Sequence, residues 1–90
     1  MVIPTLRADA RLRQCVEALG GQTFRDFETI VVDNSGLGLV RRNGAAPGAR
    51  VIENGANAGF GGAVNQAIRA SRTRYVATLN DDAVAHPRWL

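Results

Sequence analysis

The sequence of 90 residues predicts one α/β domain, with a mainly parallel sheet and helices on both faces. Strand-like and helix-like segments follow each other in the order β-α-β-loop-β-α-β, which is typical of a parallel sheet. The run from Thr29 to Val32 is continuously β-branched, as in a strand that is buried on both faces. Polar residues lie at the carboxyl ends of three of the predicted strands, so these ends carry the candidate chemistry.

The first half of the chain predicts a strand, a helix and a second strand. Residues 2–5 are the first strand, and Asp9 is expected to cap the helix because its carboxylate can accept a backbone N–H of the first turn. Apolar residues then recur at the i, i+3, i+4, i+7 spacing of a buried helical stripe: Leu12, Cys15, Val16 and Leu19. We expect Gly20-Gly21 to end this helix with a residue in the left-handed conformation.

The second half of the chain differs in composition. Residues 43–62 hold six glycines, which predicts loops around a short third strand at residues 50–53. Apolar residues at helical spacing follow: Phe60, Ala63, Val64, Ala67 and Ile68. We expect the glycines at 59, 61 and 62 to let this helix approach the sheet closely, and Asn57 to cap it. Residues 75–79 predict a fourth buried strand, and Pro87 predicts the first turn of a further helix.

Composition and charge exclude several classes of protein. All 11 basic residues are arginine, and the net charge is +3. The sequence contains no dense run of basic residues of the kind that would predict a nucleic-acid partner. Cys15 is the only cysteine, which excludes an internal disulfide and a cysteine-cluster zinc site, and we interpret it as a core residue. No apolar run approaches the roughly 20 residues of a membrane-spanning helix, and the first residues do not resemble a secretory signal. We expect a cytoplasmic protein, free or peripheral at the inner face of the membrane.

Three polar clusters lie at the carboxyl ends of predicted strands: Pro4-Thr5, Asp33-Asn34-Ser35 and Asn80-Asp81-Asp82. Because parallel strands end at the same edge of a sheet, we expect these clusters to meet in one crevice. The carboxylates of Asp33, Asp81 and Asp82 would repel each other there unless a cation joined them. Mg²⁺ or Mn²⁺ would meet that need, since both prefer oxygen ligands.

Each cluster taken alone also has a purely structural explanation. Asp, Asn and Ser after a strand often form turns or cap helices, because their side chains bond to nearby backbone groups. The acidic pair at residues 81–82 could simply be solvated, and we interpret His86 as a solvated loop residue. The glycine-rich segment contains neither a phosphate-binding P-loop nor a dinucleotide-binding motif, since Val64 stands where the last glycine would fall. The common edge of the clusters favours a functional site.

Taken in order, these motifs resemble the start of a family 2 glycosyltransferase domain of the GT-A fold. The resemblance spans essentially the whole chain, and its motifs are Val2-Ile3-Pro4-Thr5, Cys15 to Leu19 with Gln22, Ile30 to Ser35, Asn57-x-Gly59-Phe60 with Asn65, and Leu79 to Asp82. In detail, the chain is most similar to bacterial enzymes that transfer rhamnose or galactofuranose.

The resemblance implies that the crevice binds a nucleotide-diphosphate sugar. Pro4 and Thr5 would line the nucleobase pocket, and Asp33, with Asn34 beside it, would accept hydrogen bonds from the base or the ribose. The motif at residues 80–82 occupies the Asp-x-Asp position. There Asp82 would bind the Mg²⁺ or Mn²⁺ ion, and Asp81 would face the ribose or a metal-bound water.

The chain departs from the family pattern in two places. Leu6-Arg7-Ala8 stands where the family often has an aromatic residue followed by Asn-Arg, and Asn80 replaces the first acid of Asp-x-Asp. The resemblance also implies an acceptor site and an acidic general base after the metal motif, beyond Leu90.

We therefore expect residues 1–90 to be the N-terminal, nucleotide-sugar-binding part of an incomplete domain, a GT-A half-domain truncated after the Asp-x-Asp-like motif. By itself this segment would not be a competent enzyme, because positioning of the acceptor and the general base supply the acceleration. The longer protein would transfer the sugar with inversion, to an acceptor such as a cell-envelope glycan or a lipid-linked sugar. An uncovered fourth strand would favour self-association.

A different class of function stays open at this point. The segment could be a non-catalytic nucleotide-binding or protein-interaction module that keeps the same scaffold, in which case binding would not depend on Asp82. A nucleotidyltransferase is disfavoured, because no glycine-rich, basic loop follows the first strand.

Overall fold

The structure of the protein is a computed structural model that describes residues 1–22, 26–71 and 75–84. It confirms the α/β class and the parallel sheet. The elements in chain order are β1 (Val2–Thr5), α1 (Ala10–Gly20), β2 (Ile30–Asp33), α2 (Leu39–Asn43), β3 (Arg50–Glu53) and α3 (Gly59–Ala70). The short helix α2 was not predicted, because five residues are too few to show a helical period. The helix predicted from Pro87 lies outside the described residues.

The three strands form a parallel sheet in the order β1-β2-β3. The register pairs Thr5 with Asp33, and Asp33 with Glu53. The last residues of the three strands therefore stand in one row at the carboxyl edge of the sheet. This row is the edge on which the sequence placed the candidate site.

The predicted fourth strand is present only as a short edge segment beside β1. The N–H of Val2 donates to the carbonyl of Ala77 at 2.8 Å, and the N–H of Leu79 donates to the carbonyl of Val2 at 3.0 Å. Thr78 alone forms a parallel bridge with Val2. Tyr75 is 82% exposed, so the prediction of a buried strand at residues 75–79 is wrong. The reason is position, since this segment lies at the edge of the described sheet and not inside it.

The edge segment places a reversal of strand order next to β1. The chain advances from β1 through β2 to β3, and then returns to the far side of β1. Because crossovers keep one hand, the return helix must lie on the opposite face from the two earlier ones. Two separate buried clusters agree with this, one that contains residues of α1 and α2 and one that contains residues of α3. The helices thus cover both faces, as predicted.

The alternation of side chains along the strands explains the two clusters. Ile3 and Val31 point to the face covered by α1, and Val2, Ile30 and Val32 point to the face covered by α3. The predicted stripe of α1 is buried, and its members are Leu12, Cys15, Val16 and Leu19. The first three residues of β2 are apolar because both faces of this strand are covered.

Helix α1 begins as the sequence predicts and ends differently. The carboxylate of Asp9 accepts a hydrogen bond from the N–H of Arg11 at 3.0 Å, which confirms the cap. The helix ends at Gly20, but Gly21 has φ −92°, so the expected left-handed residue is absent at this end. The N–H of Gly21 instead donates to the carbonyl of Ala18 at 3.1 Å. This tighter final turn satisfies an end carbonyl without a positive φ.

The glycines of α3 do not make the close approach to the sheet, which corrects that prediction. A Cβ atom at Gly61 would meet no heavy atom within 4 Å, so this position faces open space. The buried positions of the helix are Ala63 and Ala67, which pack against β1 and β2. These two alanines are four residues apart and therefore lie on the same face of the helix, which is the face that packs on the sheet. Asn57 accepts a hydrogen bond from the N–H of Gly59 at 2.8 Å, although the cap position itself is Ala58.

Among the helices of the described segments, none has both the length and the apolar character that crossing a bilayer requires.

Candidate functional site

A crevice of about 450 Å³ lies at the carboxyl edge of the sheet, where strand order reverses between β1 and the edge segment. This volume is in the usual range of small-molecule sites, and the reversal is where open parallel sheets bind ligands. The predicted site residues that line it are Pro4, Thr5, Asn34, Asp81 and Asp82. The structure therefore brings all three polar clusters to the same edge.

One hydrogen bond joins the two sides of the crevice. The hydroxyl of Thr5 donates to Oδ2 of Asp81 at 2.7 Å, across 76 positions of sequence. The same oxygen of Thr5 accepts a hydrogen bond from the N–H of Ala8 at 3.2 Å. Thr5 is buried, so its hydroxyl has a fixed orientation. The end of β1 thus positions the carboxylate that follows the edge segment.

The acidic loop of residues 80–82 is also held from below by α1. The thiol of Cys15 donates to the carbonyl of Asn80 at 3.6 Å, and the loop closes with a bond from the N–H of Ala83 to the same carbonyl at 3.1 Å. Burial, together with the charges of Asp81 and Asp82, raises the pKa of Cys15 to about 11. Cys15 is therefore a protonated core residue and not a nucleophile.

Asp33 lies beneath the crevice and does not line it. Its side chain is two positions after Val31 and so points to the face covered by α2. Oδ1 accepts from the N–H of Ser35 at 2.9 Å, and Oδ2 accepts from the N–H of Val40 at 3.0 Å. Burial alone would raise the pKa of Asp33, but the hydrogen bonds from Ser35 and Val40 outweigh it and hold the pKa below its ordinary value.

Asp33 therefore organises the loop after β2 and the first turn of α2. A direct contact of Asp33 with a base or a ribose stays a prediction.

Asn34 is buried and anchors a network of amide side chains. Its Nδ2 donates to the carbonyl of Gly59 at 3.3 Å, and its Oδ1 accepts from Nδ2 of Asn54 at 2.7 Å. Asn54 and Gln66 exchange two further hydrogen bonds, each of 2.8 Å. The network ties the ends of β2 and β3 to the start of α3. Sequence reasoning missed it, although Asn54 directly follows a strand like the other polar residues of this edge.

The donor atoms at the crevice fit a divalent cation that is shared with a bound ligand. Asp81 is half-buried and Asp82 is exposed, so carboxylate oxygens are available on one loop. Mg²⁺ commonly takes one or two protein carboxylates together with phosphate oxygens of a substrate.

No group of three His, Cys, Asp or Glu side chains that could hold a metal occurs in residues 1–22, 26–71 and 75–84. The expected meeting of three carboxylates is therefore wrong, because Asp33 is turned under the sheet edge. His86 lies outside the described residues.

A larger depression, of about 660 Å³, lies at the opposite edge of the sheet. It is lined mainly by apolar and small residues at the amino ends of β2 and β3, with Glu28 and Arg50 as its only charged side chains among the described residues. Ligands of open parallel sheets bind at the carboxyl ends of the strands. Chemistry and position therefore both favour the smaller crevice.

A family model, "Glycosyl transferase family 2", matches residues 1–90. The chain belongs to glycosyl transferase family 2. Its fold is the α/β arrangement of the GT-A glycosyltransferases, as the resemblance of the motifs implied. The narrower resemblance to rhamnose and galactofuranose transferases stays a prediction.

Individual relatives of this family 2 chain are longer than it is. It is 32% identical over 94 residues to "Uncharacterized protein y4gI" of Sinorhizobium fredii, covering 97% of this chain and 10% of that protein. Two crystal structures of S. aureus TarS are similar, with TM-scores of 0.69 and 0.68 at 23% and 22% identity. Each covers 90% of this chain, and the chain spans 26% and 16% of their lengths. The family 2 segment thus corresponds to a small part of each relative.

The crevice of this family 2 segment has further lining residues to which the sequence had assigned no role or only a weak one: Leu6, Arg7, Arg11, Phe60 and Asn80. The guanidinium of Arg11 pairs with Asp9 at 3.1 Å. Asp9 raises the pKa of Arg11, and the charges of Asp82 and Asp81 raise it further, which places Arg11 within electrostatic reach of the acidic loop. Arg11 lies in the first turn of α1, close in sequence to the end of β1. This position is the signal from which its place at the crevice could have been predicted. Asn65 is exposed and does not line the crevice.

Proposed function

We propose that residues 1–90 bind the nucleotide-diphosphate sugar donor of a family 2 glycosyltransferase. The observation that carries this proposal is the hydrogen bond of 2.7 Å between Thr5 and Asp81. It joins the end of β1 to the acidic loop and so makes one crevice from two distant stretches of the chain. Membership of the family and the position of the crevice at the strand-order reversal support the same conclusion.

Five residues, besides the proposed metal ligand, have assigned roles in the proposed donor site. Pro4 and Thr5 line the part that receives the nucleoside, and Asp81 faces the ribose or a metal-bound water. Asn34 shapes the floor through its amide network. Asp33 acts through the loop after β2, because both of its oxygens already accept backbone hydrogen bonds.

Asp82 is the proposed ligand of Mg²⁺ or Mn²⁺, since it is exposed on the acidic loop and lines the crevice. Members of this family usually use a divalent cation. Such an ion supplies Lewis-acid stabilisation of the charge that develops on a departing nucleoside diphosphate. Arg7 and Arg11 add positive charge at the same crevice, which favours an anionic ligand.

The reaction itself belongs to the longer protein in this proposal. That protein transfers the sugar with inversion to a cell-envelope glycan or a lipid-linked sugar, using an acceptor site and a general base outside residues 1–90. We place it in the cytoplasm, peripheral to the inner face of the membrane where a lipid-linked acceptor would be reached. Nucleic acid is not among its partners.

Calorimetric titration of the purified chain with nucleoside diphosphates, with and without Mn²⁺, tests the proposal. We expect binding that Mn²⁺ strengthens, and we expect Asp82→Asn to lower the affinity in Mn²⁺ about tenfold or more, because a charged ligand of the ion is lost. Glu17→Gln is the matched control, since it removes one exposed carboxylate of α1 that does not line the crevice.

Two outcomes would contradict the proposal. A folded sample that binds no nucleoside diphosphate would exclude a donor site. Binding that responds neither to Mn²⁺ nor to Asp82→Asn would instead indicate the non-catalytic nucleotide-binding module.

A further inference from the structure

The crevice is lined by two chemically different kinds of residue. The acidic loop of residues 80–82 lines it together with Arg7 and Arg11, and the apolar side chains that line it are Pro4, Leu6 and Phe60. A ligand that contacts both kinds of residue would carry a charged part and an apolar part. The apolar lining takes no part in the cation chemistry, so it calls for a separate explanation.

Phe60 is the aromatic residue of this apolar lining, and the protein core does not use it. Its side chain is 54% exposed, and it belongs to neither buried cluster. The residues of α3 that pack on the sheet are Ala63 and Ala67, with Val64 at the margin. The fold therefore gains little from an aromatic ring at position 60, which lines the crevice instead.

The backbone that carries Phe60 is held from both sides. The preceding Gly59 has φ +74°, a conformation that an L side chain rarely adopts. The carbonyl of Gly59 accepts from Asn34 at 3.3 Å, and its N–H donates to Asn57 at 2.8 Å. Asn34 in turn bonds to Asn54 at 2.7 Å, so the turn before Phe60 is tied to the ends of two strands.

We propose that Phe60 is the platform on which the nucleobase of the donor stacks, an inference that rests on the proposed donor site. An exposed ring on a braced turn, in a crevice that carboxylates and arginines also line, matches a ligand with a planar base and a diphosphate. Stacking on an aromatic ring is tolerant of base identity, because every base has a π-face. Phe60 would therefore strengthen binding of any nucleoside diphosphate without selecting the base.

The test compares a ligand that has a base with one that lacks it. In Mn²⁺, Phe60→Ala is expected to weaken binding of nucleoside diphosphates about tenfold, in line with the loss of one base-stacking contact. Binding of inorganic pyrophosphate should stay unchanged, because it contacts only the cation and the basic residues. Ile68→Ala is the matched control, since it truncates an exposed apolar residue on the same helix that does not line the crevice.

Three outcomes would contradict the stacking role or the donor site. If Phe60→Ala leaves nucleoside diphosphate binding unchanged while the parent chain binds it, the stacking role is wrong and the donor site stands. If Phe60→Ala weakens the binding of nucleoside diphosphate and of pyrophosphate equally, Phe60 shapes the site and does not stack on the base, which also overturns the inference. If the folded parent chain binds neither ligand, the donor site itself fails.

A second variant keeps the test independent of losses in stability. Phe60→Trp retains a stacking surface and adds a fluorescent ring at the same position. We expect its emission, compared with that of the parent chain, to be quenched by nucleoside diphosphate and not by pyrophosphate. Equal responses to both ligands would contradict stacking at this position.

Discussion

The position of Asp33 in the sequence is compatible with two different roles. Its place after a buried strand is typical of ligand contacts and equally typical of turn and cap residues. In the structure its carboxylate accepts the N–H groups of Ser35 and Val40, and it is only 1% exposed. The residue therefore supports the crevice from beneath by fixing the loop that carries Asn34.

The hydrogen bonds of Asp33 lead to a prediction about acid stability. The pKa of Asp33 is lowered from 3.8 by the donors around it, so its ionised form stabilises the fold above that pH, and this contribution is lost as the pH falls through the lowered pKa. We expect Asp33→Asn to lower the free energy of unfolding at pH 7 by about 1.5–3 kcal/mol, because charge-assisted bonds are lost. The variant should also show a shallower loss of stability between neutral and acid pH.

Urea unfolding of both proteins across this pH range measures the effect. Asp26→Asn is the control, because Asp26 is an exposed carboxylate. Asp9 titrates in both proteins, so the difference between their curves isolates Asp33. Coincident stability curves for the parent chain and Asp33→Asn would show that the bonds to Ser35 and Val40 contribute nothing to stability.

At the scale of elements, the loops after β2 and β3 touch each other under the crevice. Gly36 has φ +75°, and a Cβ atom there would lie 2.9 Å from the carbonyl oxygen of Gly55. Both the backbone conformation and the contact require glycine at this position. The loop that leads to α3 is thus seated on the loop that contains Asn34.

We predict that Gly36→Ala destabilises the protein more than Gly48→Ala does. Both residues have a positive φ, so each substitution adds backbone strain of about 1–2 kcal/mol. At Gly48 the added Cβ meets nothing within 4 Å, whereas at Gly36 it meets backbone that must move. We expect an additional loss of about 1 kcal/mol or more for Gly36→Ala in thermal unfolding. Equal losses for the two variants would mean that the loops are not in contact.

The elements themselves were largely predictable from local sequence. The bounds of β1 at Val2–Thr5 and of β3 at Arg50–Glu53 agree with the prediction, because short apolar runs between turn residues define them. Helix α2 was missed because it is one short turn set between two glycines in the left-handed region. The edge segment at residues 77–79 was predicted in the correct chain order but wrongly as buried. The sequence of a segment does not show which other elements will cover it.

At the scale of the whole molecule, the edge segment is the feature that bears on association. The N–H and carbonyl groups of Val2 bond to Ala77 and Leu79. In a parallel ladder the backbone groups of the residue between them point the other way. Thr78 is exposed, and its backbone groups have no hydrogen-bond partner within the described part of the chain. An edge with available backbone groups favours pairing with a second chain.

We predict that the chain self-associates as its concentration rises, and that Thr78→Lys suppresses this. A charged side chain at a sheet edge opposes strand pairing. Sedimentation velocity over a range of concentrations measures the change in mass. Ile68→Lys is the control, because it makes the same charge change at an exposed residue of α3 away from the edge. Equal suppression by both variants would assign the effect to charge, and a parent chain that stays monomeric would remove the edge as an interface.

Local information was enough to establish the class of fold, the apolar stripe of α1, the cap at Asp9 and the edge on which the polar clusters lie. Strand and helix periods and capping preferences act within a few residues, so a short window of sequence contains them. The pairing of Thr5 with Asp81 and the orientation of Asp33 toward α2 depended on the tertiary structure. Such contacts follow from strand register, from the return crossover and from the direction of each side chain, which no single segment encodes.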